Sequence, residues 1–141
     1  MTGTPRFSLA TVVLDCPDAH ELADFYSRLL GWEVTLSEPG WVLLRDPTGG
    51  TGLSFQSEAW YRPPVWPEEP GGQQKMLHLE IQVTPAGAEP GRYSEEEGQA
   101  ALEAALARAL SFGGTLAETQ FRPDLRVVLD PSGHPLCLFL Y

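Results

Sequence analysis

The decapeptide Trp41-Val-Leu-Leu-Arg-Asp-Pro-Thr-Gly-Gly50 returns 84 residues later as Leu125-Arg-Val-Val-Leu-Asp-Pro-Ser-Gly-His134. Each copy is an apolar run ending in Asp-Pro-x-Gly, a turn in which Asp caps, Pro presets φ and Gly closes. One such turn is commonplace. Two in the same strand order point to a duplicated module, which constrains the fold more tightly than composition does. Arg28-Leu-Leu-Gly31 and Arg108-Ala-Leu-Ser-Phe-Gly113 form a second, looser echo.

Residues 7–14 are apolar and β-branched, a strand pattern. Asp18 with Glu21 predicts a helix start, and Leu22, Phe25, Tyr26, Leu29 and Leu30 then recur at helical spacing until Gly31 stops them. Strands are expected over 32–37, 41–45 and 52–56, with turns at Pro39-Gly40 and Asp46–Gly50. Module one, residues 7–56, therefore reads βαβββ.

Module two, residues 76–141, repeats the pattern. Over 76–83, Leu77, Leu79, Ile81 and Val83 alternate with His78, Glu80 and Gln82. A Gly/Pro-rich insertion, 84–93, precedes a helix opened by Ser94 and Glu97 and running to about Phe112, with Leu102, Leu106, Ala109 and Leu110 as its apolar stripe. Strands over 115–121, 125–129 and 135–141 complete it. Residues 57–75 between the modules carry Pro63, Pro64, Pro67 and Pro70 beside Trp60, Tyr61 and Trp66, a composition that suits an ordered flap better than a tether. The whole, residues 1–141, reads as one α+β domain.

A net charge of −10 with a single lysine, Lys75, excludes nucleic acid and anionic membranes as partners, since both require clustered cations. No apolar run approaches the roughly 18 residues of a membrane span, and residues 1–6 lack the pattern of a signal peptide. Cys16 and Cys137 lie in or beside apolar runs and read as buried thiols. A cytoplasmic protein is the expectation.

Several segments together resemble the vicinal-oxygen-chelate superfamily of glyoxalases, bleomycin-resistance proteins and extradiol dioxygenases, in its glyoxalase-like branch. They are Thr11-Val-Val-Leu-Asp-Cys-Pro-Asp18, Leu22-Ala-Asp-Phe-Tyr26, Leu29-Leu-Gly-Trp32, Met76-Leu-His-Leu-Glu-Ile81 and the two Asp-Pro-x-Gly strands. The resemblance implies two βαβββ modules forming a curled half-barrel sheet with helices outside, a ligand on its concave face, and a homodimer. It also implies, in metal-dependent members, His and Glu ligands from the first and last strands of each module.

Carried onto this chain, those ligand positions fall on Thr11, Ser54, His78 and Cys137. Two hydroxyls are poor ligands for Zn²⁺, Ni²⁺ or Fe²⁺, so the metal chemistry of the superfamily is not expected. Glu80, on the face of His78, is the one carboxylate that could join His78 and Cys137. Strand parity adds Val13, Gln56, Phe139 and Tyr141 to the concave face, and Trp32, Trp41, Trp60 and Trp66 are candidates for stacking on a ligand. His20 reads as exposed on the first helix and His134 as a turn residue.

The expectation is a protein that binds a small apolar or aromatic molecule in a concave pocket, with no cofactor and no metal. The alternative is a lyase, isomerase or dioxygenase that uses His78 and Glu80, with a divalent metal or without one.

Overall fold

The computed structural model describes residues 3–140. It divides into two compact units, Met1–Ala59 and Trp60–Tyr141. In the first, β1 (Thr11–Cys16), α1 (Ala19–Leu30), β2 (Glu33–Glu38), β3 (Trp41–Arg45) and β4 (Gly52–Ser57) follow in order. They form a sheet ordered β1-β4-β3-β2, with β1 parallel to β4 and the other pairs antiparallel.

Local chemistry sets the ends of α1. The Asp18 carboxylate accepts from the backbone N–H groups of His20 and Glu21, satisfying two donors that the first turn leaves open. Gly31 ends the helix in the left-handed region (φ 72°), a conformation that costs glycine nothing. Leu22, Phe25 and Tyr26 are buried against the sheet, where Tyr26 stacks on Phe55 with ring centroids 5.5 Å apart. Each such side chain contributes about 2 kcal/mol of burial.

The second unit contains β5 (Leu79–Gln82), α2 (Glu95–Ser111), β6 (Thr115–Leu116), β7 (Leu125–Leu129) and β8 (Pro135–Phe139). Its sheet runs β5-β8-β7-β6, with β5 parallel to β8. The two units thus share one topology, and the doubled Asp-Pro-x-Gly marks the same β-hairpin turn in each. Ser94 caps α2 by accepting from the N–H of Glu97 and donates its own hydroxyl to that residue's carboxylate. None of the described helices is long and apolar enough to cross a membrane.

Several expected boundaries move, each for a tertiary reason. Residues 7–10 are not strand: β1 begins at Thr11 because its parallel partner begins at Gly52, and the chain before Gly52 is the Asp46–Gly50 turn. Phe7 and Leu9 are accordingly exposed. The strand expected over 76–83 shortens to Leu79–Gln82, where β8 lies opposite. The strand expected over 115–121 stops at Leu116. There the side chain of Gln120 replaces backbone pairing, donating to the carbonyls of Ala117 and Val127 and accepting from the N–H of Val127. Leu110, expected in the apolar stripe of α2, is exposed, and the stripe is Leu102, Leu106 and Ala109. Tyr141 lies outside the described residues.

Candidate functional site

In each unit, strand alternation sends one set of side chains to the helix and the other to the opposite face. In unit one, Leu14, Val42, Leu44, Leu53 and Phe55 are buried on the helix side. Thr11, Val13, Trp41, Ser54 and Gln56 occupy the other face; the register pairs Val13 with Ser54 and Trp41 with Gln56. There the two hydroxyls of the expected ligand set meet each other, with Thr11 Oγ1 2.7 Å from Ser54 Oγ. Ser54 is fully buried, Val13 and Gln56 are exposed, and Trp41 is half-buried.

In unit two, the face away from α2 carries Glu80, Gln82, Leu125, Val127, Cys137 and Phe139, with Glu80 opposite Cys137 and Val127 opposite Cys137. His78 sits one residue before β5 and is delivered there by a turn in which Met76 takes φ 60°. His78, Glu80 and Cys137 converge, their nitrogen, oxygen and sulfur atoms all lying within 4.8 Å of one another. Glu80 is the hub: its Oε1 is 3.2 Å from His78 Nε2, and it also accepts from the Cys137 thiol. Burial pushes the Cys137 thiol up to about 11, and the negative charge of Glu80 and that hydrogen bond add to the effect. At neutral pH Cys137 is therefore a protonated thiol and a poor nucleophile. Cys16 and Cys137 are both buried thiols and form no disulfide.

The flap supplies a neighbour to this face. Trp66 packs with Phe139 against Ala117, Leu125, Val127 and Cys137. Its ring meets Phe121 edge-on at 6.2 Å and carries the Lys75 ammonium 4.8 Å from its centroid. Lys75 is also ion-paired to Glu68, and the N–H of Val65 donates to the Gln73 carbonyl at 2.8 Å, which closes the loop around the indole. Trp60, by contrast, is 93% exposed, and Trp32 is half-buried beside the end of α1. His20 is exposed as expected, with Nε2 3.0 Å from the Glu38 carbonyl.

His134 closes the second Asp-Pro-x-Gly turn, as expected, and does more than that. It is buried, with Nδ1 2.9 Å from Oδ2 of the buried Asp130 and Nε2 3.3 Å from the hydroxyl of Tyr61. Tyr61 donates to the Ser132 carbonyl at 2.8 Å. The second Asp-Pro-x-Gly turn is thus the anchor of the flap. A signal for this was present in the repeat, because His134 replaces Gly50, the fourth residue after the turn aspartate. A Cβ at Gly50 would lie 2.5 Å from Asp46 Oδ2, so that position folds back over the carboxylate in the first copy as well.

Two βαβββ units of identical strand order, each with a polar set on the face away from its helix, define the paired-module α+β class. The chain belongs to the glyoxalase-like domain family, whose model matches residues 11–139, and through it to the vicinal-oxygen-chelate superfamily. Solved structures agree on the fold. A glyoxalase/bleomycin resistance protein/dioxygenase family enzyme from Burkholderia phytofirmans PsJN aligns with a TM-score of 0.64 at 16% identity, covering 94% of this chain and 97% of that one. A glyoxalase/bleomycin resistance protein from Albidiferax ferrireducens T118 aligns at 0.58 and 19%, covering 92% and 95%. TnmS3, an antibiotic binding protein from Streptomyces sp. CB03234, aligns at 0.57 and 17%, covering 97% and 98%. No curated protein matches by sequence.

The superfamily's metal can be tested against the donors present. Unit one offers two neutral hydroxyls already bonded to each other, a poor donor pair for a transition metal. Unit two offers imidazole, carboxylate and thiol within 4.8 Å of one another, donor types that suit a divalent transition metal. Of the four superfamily positions, Thr11 and Ser54 do not fit a transition metal, whereas His78 and Cys137, joined by Glu80, are of types that do.

Proposed function

We propose that this protein binds a small apolar or aromatic molecule without a metal, on the sheet faces turned away from the two helices. The observation that carries this reading is the Thr11–Ser54 pair: where a metal-dependent member needs two ionisable donors, this chain has two hydroxyls that satisfy each other. The residues assigned to the ligand are Thr11, Val13, Trp41, Ser54 and Gln56 from unit one, and His78, Glu80, Cys137 and Phe139 from unit two. Trp60, fully in solvent, joins them only if a ligand draws it in. Residues 1–141 act as a single cytoplasmic domain in this reading, with 57–75 as its flap, and the chain assembles as a homodimer.

The His78–Glu80–Cys137 cluster favours a second reading, in which the protein is a lyase, isomerase or dioxygenase and Glu80 with His78 moves a proton. Elemental analysis of protein purified without chelator separates the two. Binding without metal predicts far less than one equivalent of Zn, Ni, Mn or Fe. One firmly held equivalent, lost in His78→Ala, would replace the first reading by the second.

A further inference from the structure

Unit one holds a cavity of about 280 Å³ where β3 runs into the Asp46–Gly50 turn, and its walls include Thr11, Thr35, Leu43, Arg45, Asp46 and Gly52. The register explains why it opens. Thr11 stands opposite Gly52, and Leu44 opposite Leu53, so Arg45, Gly52 and Thr11 fall in one row on the face turned away from α1. Gly52 has no side chain, which leaves a notch between those of Arg45 and Thr11. On the edge strand β2 the register shifts between Val34 and Leu36, a bulge that sets Thr35 beside the same notch.

The polar groups on these walls are unequally committed. The Asp46 carboxylate accepts from the Thr48 N–H at 2.9 Å and from the Thr48 hydroxyl at 2.8 Å, so its charge is turned into its own hairpin. Arg28, Arg92, Arg122 and Arg126 each pair with a carboxylate. Arg45 pairs with none of the described residues, although Glu33 lies opposite it in the β2–β3 register. In a chain of 19 acidic residues against 9 lysines and arginines, that leaves a cation beside a cavity, open to an acid from outside. The Thr35 hydroxyl likewise has no partner among the described residues.

We infer that this notch holds a carboxylate of the bound molecule, gripped by the Arg45 guanidinium and hydrogen-bonded by the Thr35 hydroxyl. This rests on the binding reading above and names the acidic group that its ligand carries. The planar fork of arginine matches the two oxygens of a carboxylate, and such charge-assisted bonds are roughly twice as strong as neutral ones. The overall charge of −10 does not forbid it. Repulsion from distant carboxylates is screened over a Debye length of about 8 Å, while the guanidinium acts at contact. Leu43, in the cavity wall, and Trp41, two residues earlier on the same face of β3, offer apolar surface to the body of the ligand.

2-Naphthoate and 2-naphthamide share one flat frame and differ in charge, and serve as the probe pair. Titration calorimetry on the full chain should show 2-naphthoate binding about tenfold tighter or more. Arg45→Gln should bind the two alike and melt as the parent does, since Arg45 is exposed. Arg62→Gln removes the same charge from another part of the chain and should keep the preference. Should Arg45→Gln fail to fold, ¹⁵N-labelled wild-type protein carries the test: the Arg45 Nε–H resonance should move with 2-naphthoate and stay put with 2-naphthamide. Equal affinities in the wild type, a preference that survives Arg45→Gln or is lost equally in Arg62→Gln, or an unmoved Arg45 resonance would leave the binding reading standing and overturn the carboxylate site. If wild-type protein takes neither compound at about 1 mM, the carboxylate site falls, and the metal content decides separately whether the binding reading falls with it.

Discussion

Thr11 Oγ1 and Ser54 Oγ lie 2.7 Å apart, each hydroxyl satisfying the other across the parallel pair β1–β4. Ser54 is fully buried, so removing only one partner strands the other. Ser54→Ala should cost about 1–2 kcal/mol in urea unfolding, whereas Thr11→Val combined with Ser54→Ala should recover most of that loss. Additive losses in the double variant would show that the two hydroxyls do not depend on each other.

Cys137 makes a pH prediction whose direction follows from burial. Its folded-state value, about 11, stands above the ordinary thiol value of 9.0. An acid whose pKa is raised by folding keeps its contribution to stability below the unfolded value and loses it as pH climbs through the folded one. Stability should therefore decline between about pH 9 and pH 11 in wild type and decline less in Cys137→Ser. Labelling of Cys137 by iodoacetamide should be slow at pH 8 and accelerate toward pH 11; fast labelling at pH 8 would contradict the assignment.

The two turn aspartates should respond unequally to the same change. Asp130 is buried and accepts from the backbone N–H groups of Ser132 and His134 and from the His134 ring. Asp130→Ala, by leaving that buried set open, should cost on the order of 3 kcal/mol. Asp46 is held below the usual carboxylate range chiefly by the Thr48 backbone N–H, then by the Thr48 hydroxyl, but it lies near solvent. Asp46→Ala should lower the melting temperature by a smaller amount than Asp130→Ala, and equal effects would count against the asymmetry.

Gly52 tests how closely β3 and β4 approach. A Cβ there would sit 2.6 Å from the Leu44 carbonyl oxygen, which is backbone and cannot step aside. Gly52→Ala should destabilise by about 1–3 kcal/mol, as other overpacked sites do. An unchanged chemical denaturation midpoint would mean that the strand pair yields more easily than its register suggests.

What could be read from the sequence was what neighbouring residues decide. Asp18, Gly31 and Ser94 announced both helices, and the doubled turn announced the topology, because caps and turns act over a few residues. Strand parity likewise placed Thr11, Ser54, Glu80 and Cys137 on the faces away from the helices. The start of β1 and the loss of β6 after Leu116 were not legible, since they depend on where Gly52 begins a partner strand and where the Gln120 amide lands. The mutual bond of Thr11 and Ser54 needed the parallel register. Burial of His134 needed Tyr61, 73 residues earlier in the chain. The protonated thiol of Cys137 followed only from its depth and its contact with Glu80.

The two Asp-Pro-x-Gly turns are near-identical in sequence and differ in what is built on them. In the first copy the fourth residue after aspartate is a glycine folded over Asp46, and Gly49 needs its positive φ, so change there is limited by the turn itself. In the second, that residue is a histidine wedged between Asp130 and Tyr61, so a substitution there is felt in the flap and, through the flap, at Trp66. A saturation library spanning both turns should therefore tolerate more at Gly50 than at His134: a duplicated module whose second turn has become a keystone.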